Sequence, residues 1–301
     1  MHFTTRLLLS LFIVVSISTA VGAEGIIAPD AKLQTLSTEF KFTEGPASDA
    51  DGNVYFTDQP NDRIMKWTTD GRFETYLQPC GRSNGLCLDG QGNIIACADE
   101  KNELWSIDIK TKKVTVLIKD HNGKLHNGPN DVWVRPDQGL YFTDPLYKRE
   151  YWKRGPQEMD GKHVFYLAPD RKTVTQVTTD LTEPNGIIGT PDGKMLYVSD
   201  IGAKKTYSYT INADGTLADK KLFCEAGSDG MTIDNEGNVY ITNASGVTVF
   251  DKTGKQIENI KIPEKWTANI CFGGKDMHTL FITASKGVYT MQMRVKGAGS
   301  Q

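Results

Sequence analysis

A six-fold repeat constrains this chain of 301 residues more than any other feature of its sequence. Each copy is a glycine-containing turn followed by a strand-like run, as in residues 51–58 (DGNVYFTD) and 235–243 (NEGNVYITN). The turn glycines lie 40, 47, 54, 44 and 37 residues apart; they are Gly52, Gly92, Gly139, Gly193, Gly237 and Gly274. One blade of a β-propeller occupies about 40–50 residues, and a glycine supplies the positive φ that a tight hairpin requires. The repeat therefore predicts an all-β fold, a six-bladed β-propeller.

Two further strand-like runs follow each copy, for example residues 64–67 and 73–76 after the first, but only one, residues 288–295, follows the last. We therefore expect the N-terminal segment to supply the missing strand and close the ring. A β-sandwich would need far fewer residues, and the 3.6-residue periodicity of a helical repeat is absent. We assign residues 24–36 to a lead-in, 37–296 to the propeller and 297–301 to a C-terminal tail.

The N-terminus has the pattern of a secretory signal peptide. A cationic start ending at Arg6 precedes an apolar run over residues 7–17, and small residues follow as far as Ala23. An uncleaved membrane anchor is the competing interpretation, but the apolar run is shorter than the roughly 20 residues that span a bilayer. We predict cleavage of residues 1–23, with Ala20 as the alternative site. The mature protein is then expected to be exported, periplasmic or secreted, and free of the membrane.

Charge and cysteine content narrow the partners that such a protein can have. The chain carries 34 Lys and Arg against 37 Asp and Glu, so nothing suggests a nucleic-acid or membrane-surface partner, and no protein partner is implied. Its five cysteines include no CxxC pair. Because Cys87, Cys97 and Cys271 lie in apolar runs, we expect mostly buried thiols. Cys80 and Cys87 are the one pair that could form a disulfide.

A polar residue opens the first strand of every repeat, 13 or 14 positions before a fixed point in the second strand. These residues are Glu44, Asn84, Asn130, Asn185, Asp229 and Asn269. The innermost strands of a propeller line its channel, so the six side chains should converge at one mouth. Their oxygens suit a hard cation such as calcium or magnesium. Asn and Asp also favour turns, but six polar residues without an apolar exception favour a central metal site.

Four motifs at these positions resemble those of the SMP-30/gluconolactonase family, the regucalcin-like lactonases. They are Glu44-Gly-Pro, Pro129-Asn130-Asp131, Pro184-Asn185-Gly186 and Asp229-Gly230-Met231. The resemblance covers nearly all of the mature chain. It implies a six-bladed propeller with one divalent metal, held by Glu44, Asn185 and Asp229, with Asn130 beside it. Calcium is our first choice, with zinc, magnesium or manganese as alternatives. Animal members carry an arginine where this chain has Gly128, so their selectivity among sugar lactones does not carry over.

The predicted function is therefore that of an exported, metal-dependent lactonase acting on a small sugar-type lactone. The metal would polarise the carbonyl, and Asp229 would activate water as the general base, with Asp131 as the alternative base. Strand direction also places a basic, aromatic loop, residues 145–154, at the mouth, where it could bind substrate or simply be solvated. Candidate substrate contacts are Asn130, Asn84, Arg82, His126 and Tyr147. Two other functions stay open, a phosphotriesterase-like hydrolase on the same site and a non-catalytic ligand-binding propeller with a structural calcium.

Overall fold

A computed structural model describes residues 25–299, and the predicted signal peptide lies outside that range. Each repeat forms one four-stranded antiparallel sheet, and six such sheets form the blades. Blades 1 to 3 consist of β2 (Thr43–Ser48), β3 (Val54–Asp58), β4 (Arg63–Trp67) and β5 (Phe73–Leu77); β6 (Ser83–Leu88), β7 (Asn93–Ala98), β8 (Glu103–Asp108) and β9 (Val114–Ile118); and β10 (Val132–Val134), β11 (Leu140–Asp144), β12 (His163–Leu167) and β13 (Val174–Gln176). Blades 4 to 6 consist of β14 (Pro184–Gly189), β15 (Met195–Asp200), β16 (Lys205–Ile211) and β17 (Leu217–Cys224); β18 (Met231–Ile233), β19 (Val239–Asn243), β20 (Gly246–Phe250) and β21 (Gln256–Ile260); and β22 (Thr267–Gly273), β23 (Thr279–Ala284) and β24 (Gly287–Gln292) with β1 (Gln34–Ser37). The prediction of a six-bladed propeller is confirmed.

The N-terminal segment closes the ring. β1 pairs with β24 in an antiparallel arrangement, so that the sixth sheet has the order β1-β24-β23-β22. The expected closure is thus confirmed, and β1 begins at Gln34, inside the segment assigned to the lead-in. Ile26 is also buried in the core, and Ile27 forms a bridge with Met293. The lead-in therefore packs on the sixth blade.

The second strand of each blade is covered on both faces by neighbouring sheets. This is why runs such as β3, with the sequence VYFTD, are buried at every position. The fully buried side chains include large aromatic rings at corresponding places in different blades, namely Tyr55, Tyr141 and Tyr240. The outermost strands face solvent, and Val116 on β9 is 47% exposed. Burial of apolar surface between adjacent blades thus holds the ring together.

The polar turn residues of the repeat belong to the fold and not to the mouth. In the first blade, Asp49 Oδ1 accepts hydrogen bonds from the backbone N–H groups of Asp51 (3.0 Å) and Asn53 (2.9 Å). Gly52 has a φ of +83°, and a Cβ there would lie 2.1 Å from the carbonyl oxygen of Gly274. The glycine therefore allows the turns of blades 1 and 6 to pack against each other.

The five cysteines are all free and buried, so Cys80 and Cys87 are not bridged. Burial raises the pKa of the Cys87 thiol to about 12. These thiols are therefore neutral packing groups, as the sequence predicts. The described part of the chain contains no helix with the length and apolarity that a membrane crossing requires.

Candidate functional site

A cavity of about 360 Å³ opens where the first strands begin. Five of the six predicted ring residues line it, namely Glu44, Asn84, Asn130, Asn185 and Asp229. Each is at least nine-tenths buried. They converge because β2, β6 and β14 begin beside them, while Asn130 and Asp229 immediately precede the residues that lead into β10 and β18. We call this cavity the mouth.

The sixth ring residue, Asn269, does not line the mouth. Its Oδ1 accepts a hydrogen bond of 2.8 Å from the backbone N–H of Ile270, and its side chain also bonds Asp131. Both ends of the amide are therefore engaged inside the propeller. The regular spacing of the repeat placed Asn269 in the ring but could not show this local pairing.

Glu44 and Asp229 form a buried pair of carboxyl groups in the mouth. Glu44 is 2% exposed and Asp229 is 9% exposed. Burial raises the pKa of Glu44 well above its ordinary value, and the charge of Asp229 raises it further. Burial likewise raises the pKa of Asp229, although hydrogen bonds from Trp266 and Asn185 oppose that shift. Two buried carboxylates this close favour either a proton or a cation between them.

Asn185 is the third side chain beside this pair that could supply a ligand oxygen. Its Nδ2 donates hydrogen bonds to Asp229 Oδ1 and to the Tyr147 hydroxyl oxygen, both of 2.8 Å. Its Oδ1 is buried and has no hydrogen-bond partner. A buried carbonyl oxygen without a donor is costly, and a hard cation would satisfy it. The donor set of Glu44, Asn185 and Asp229 therefore fits a divalent ion. Within residues 25–299 no three Asp, Glu, His or Cys side chains form such a group, and here an amide completes the set.

Trp266 is a mouth residue that the sequence analysis missed. It lies immediately before β22, and its Nε1 donates a hydrogen bond of 2.5 Å to Asp229 Oδ2. Each oxygen of Asp229 thus receives one side-chain donor, from Asn185 or from Trp266. The loops that lead into first strands were expected at the mouth, and Trp266 lies in such a loop. A tryptophan directly before a first strand was the signal that could have identified Trp266 as a mouth residue.

Asp131, the alternative base, lies outside the residues that line the mouth. Its Oδ1 accepts a hydrogen bond of 3.1 Å from the backbone N–H of Val132, and it also bonds the Ile187 backbone and the Asn269 side chain. Burial raises its pKa to about 7. The geometry therefore puts Asp229, and not Asp131, against a ligand in the mouth.

The loop of residues 145–154, which we call the rim loop, covers one side of the mouth. Tyr147 and Arg149 line the cavity. The loop is tied to blade 2, because Tyr151 donates to Asp99 Oδ2 (2.5 Å) and Trp152 donates to the Asp99 carbonyl (2.7 Å). The Trp152 ring also fills the space beside Gly128, where a Cβ would lie 3.0 Å from it. A Cβ there would also lie 2.7 Å from Asp99 Oδ1, so a larger residue at position 128 would force both side chains to shift.

Two predicted substrate contacts, His126 and Arg82, lie away from the mouth. His126 is fully buried, with Nδ1 3.3 Å from Asp144 Oδ2 and its ring against Phe165. Arg82 donates to the carbonyl of Pro60 (3.0 Å) and stacks on Tyr151. Strand direction gave the correct end of the propeller for both loops. Strand direction could not show how far each side chain lies from the cavity, and side-chain packing turns both residues away from it.

The opposite end of the channel holds a second cavity, of about 310 Å³. Its lining comes from the ends of the same first strands, including Leu88, Val134, Gly189 and Ile233. Among the described residues this cavity has no pair of convergent carboxylates. The chemistry of the channel is therefore concentrated at the mouth.

Comparison with known proteins relates this arrangement to a family. The family described as SMP-30/Gluconolactonase/LRE-like region matches residues 42–286. A gluconolactonase of Zymomonas mobilis is 27% identical over 91% of this chain and 85% of its own length. A pentonolactonase of Haloferax volcanii is 29% identical over 84% of this chain and 85% of its own. The structure of a gluconolactonase from Xanthomonas campestris matches with a TM-score of 0.82 and 28% identity, covering 89% of this chain and 91% of that one.

Proposed function

This chain belongs to the SMP-30/gluconolactonase/LRE-like family, and from that premise we propose that it is a lactonase acting on a sugar-type lactone. Two relatives that it matches over most of their length are named as a gluconolactonase and a pentonolactonase. The observation that carries the proposal is the buried Glu44–Asp229 pair with the unpartnered oxygen of Asn185 beside it. Such a site concentrates charge and ligand oxygens where a small molecule can enter.

Glu44, Asn185 and Asp229 would hold one divalent cation. Their oxygens favour calcium, with magnesium, manganese or zinc as alternatives. When bound, the cation would polarise the lactone carbonyl and stabilise the oxyanion that develops on it. Its charge would also offset the mutual repulsion of the two carboxylates.

The remaining chemistry falls to side chains of the mouth. Asp229 takes a proton from the attacking water while the oxygen of that water bonds to the carbonyl carbon. The ring C–O bond then breaks. The departing ring oxygen takes that proton back from Asp229, which restores the carboxylate, and the product is a hydroxy acid. Hydrogen bonds from Trp266 and Asn185 fix the orientation of Asp229 for this step. Asn84 and Asn130 face the same cavity and can bond the carbonyl or hydroxyl oxygens of the substrate.

We also propose that the mature protein is exported. The support is the sequence of residues 1–23, with its cationic start, apolar stretch and small residues before the cleavage site. The expected location is the periplasm or the medium. Sequencing the N-terminus of protein recovered from those fractions would test it, since cleavage predicts a chain starting after Ala23 or Ala20.

The test of function is hydrolysis of a panel of sugar lactones by the purified protein, with and without a chelator. Glu44→Gln and Asp229→Asn should each lose activity by orders of magnitude, and the chelator should abolish it. Glu74→Gln, which removes an exposed carboxylate on an outer strand, is the matched control and should retain full activity. Full activity in both mouth variants would overturn the site assignment. Turnover of phosphotriesters without lactones, or of neither, would move the function to one of the two alternatives.

A further inference from the structure

Positive charge accumulates along the rim loop on one side of the mouth. Its ten residues include Lys148, Arg149, Lys153 and Arg154 against the single acid Glu150. Arg149 forms an ion pair with Asp99. In residues 25–299 the other three cations form no ion pair. The rim loop therefore has a net positive charge of its own, in a chain whose net charge is −3.

Arg149 is the one cation that lines the mouth cavity within the described range. Its Nε donates a hydrogen bond of 2.9 Å to Asp99 Oδ2, and its guanidinium lies 5.6 Å from the centre of the Tyr147 ring. Neither terminal amino group of Arg149 has an acceptor within residues 25–299. Two sets of N–H donors therefore remain free for a ligand, and the side chain is 25% exposed.

Asp99 holds the guanidinium in that place. Its side chain is 4% exposed, and its Oδ2 also accepts hydrogen bonds from Tyr151 (2.5 Å) and Gln59 (3.4 Å). Because these three partners come from two separate segments, the rim loop and the turn at Gln59, the carboxylate cannot easily turn away. Asp99 is therefore a positioning residue, which acts on a ligand only through Arg149.

The mouth is thus lined by the carboxyl groups of Glu44 and Asp229, which we call its acidic end, and by one cation, Arg149, which we call its basic end. Glu183, the third acid in the lining, is paired with Lys162. An adjoining cavity of about 310 Å³ continues past Arg149 along the rim loop and is lined by Lys148, Trp152 and Arg154 among others. A neutral sugar would leave the two terminal amino groups of Arg149 without an anionic acceptor, whereas a substrate with an anionic tail would supply one. Guanidinium groups bind carboxylate and phosphate oxygens in pairs.

We propose that the substrate is an anionic lactone, whose carboxylate or phosphate tail binds Arg149 while its carbonyl lies at the acidic end. The inference rests on the proposed lactonase function and specifies its substrate class. Product-type ligands give a direct test, because binding does not require turnover. Gluconate and glucarate share six carbons and one carboxylate, and they differ only in the hydroxymethyl or second carboxylate at the far end. 6-Phosphogluconate carries a phosphate at that end.

Isothermal titration of the calcium-loaded protein with these three ligands is the experiment. Glucarate or 6-phosphogluconate should bind about tenfold or more tightly than gluconate, and the tighter of the two identifies the tail. Arg149→Gln should remove this ratio, Arg149→Lys should keep part of it, and Asp99→Asn should reduce it while gluconate binding persists. Lys194→Gln, which removes an exposed cation on a turn at the far end of the propeller, should leave the ratio unchanged.

The ratio within each variant is the quantity compared, because Arg149 also acts on the pKa values of both mouth carboxylates. Equal affinities for the three ligands in the unmodified protein would overturn the proposal, and so would a preference that survives in Arg149→Gln. Hydrolysis of glucono-1,5-lactone, measured separately, tests the lactonase function itself. Turnover without an anion preference refutes only this inference. An anion preference without turnover of any lactone refutes the lactonase function and reduces the inference to an anion-binding site at Arg149.

Discussion

Asn185 donates a hydrogen bond of 2.8 Å from Nδ2 to Asp229 Oδ1, and this contact fixes which way the amide faces. With the nitrogen committed to Asp229 and Tyr147, the oxygen of Asn185 is left buried without a donor. An Asp at this position would have the oxygen but would repel Asp229. The amide therefore donates a hydrogen bond to Asp229 and offers a ligand oxygen of its own, and it adds no negative charge to the mouth.

Replacing Asn185 by Leu should weaken binding of the cation without unfolding the propeller. The leucine side chain keeps the branching of asparagine, although it is larger, and it lacks both the ligand oxygen and the donor to Asp229. We expect the affinity for calcium, measured by isothermal titration, to fall by at least about tenfold, or about 1.4 kcal/mol. Tyr147→Phe removes the hydroxyl and leaves the Asn185–Asp229 bond, so its affinity should change little. Unchanged affinity in Asn185→Leu would remove Asn185 from the ligand set.

We expect Glu44→Gln to be more stable than the original protein without metal, and to gain much less stability when calcium is added. Burial raises the pKa of Glu44 above its unfolded value, so its ionisation destabilises the folded state at pH values above that unfolded pKa. With chelator at pH 8 we expect the variant to unfold at a higher temperature than the original protein, and at pH 4 we expect no difference. Calcium at 100 times its Kd should stabilise the original protein by about 2.7 kcal/mol and the variant far less. Equal stabilisation of both would show that Glu44 is not a ligand.

Trp266→Phe should shift the acidic limb of the activity profile to higher pH. The indole N–H bond favours the ionised form of Asp229, and its loss raises the pKa of that carboxyl. If Asp229 is the base, kcat/KM then needs a higher pH to reach its plateau, by about one unit for a lost bond of about 1.4 kcal/mol. Trp105→Phe, which removes an indole bond to Glu103 on blade 2, should leave the profile in place. A profile that falls in height without moving would assign Trp266 to packing alone.

The fold and most of the mouth could be predicted from the sequence because both follow from the repeat. A turn glycine and a buried strand recur at a blade-sized interval, and the polar residue before each first strand must then face the channel. The same regularity failed at Asn269, where a bond to the next backbone N–H turns the side chain inward.

Loop residues could not be placed from the repeat, because their positions depend on packing between blades. His126 is drawn into an apolar pocket beside Phe165, and Trp266 reaches Asp229 from a neighbouring blade. The rim loop crosses to Asp99 of blade 2, which no spacing in the sequence indicates. Contacts of this kind join residues far apart in the chain and require the three-dimensional arrangement.

Asp131→Asn should stabilise the metal-free protein at neutral pH and not at acid pH. Burial raises the pKa of Asp131 to about 7 from the 3.8 of an exposed Asp, so the stability of the folded protein falls as pH rises between those two values. The full linkage is about 4 kcal/mol, and we expect the amide to recover at least about 1 kcal/mol of it, since the amide oxygen can still accept the Val132 bond. Urea unfolding with chelator from pH 4 to pH 8 measures the difference, which should be small at pH 4, grow with pH and level off above pH 7.

Asp108→Asn should show the opposite slope, because hydrogen bonds from Thr111 lower the pKa of that exposed carboxyl. Parallel curves for Asp131→Asn and the original protein would mean that Asp131 is ionised throughout, which would restore it as a rival base to Asp229.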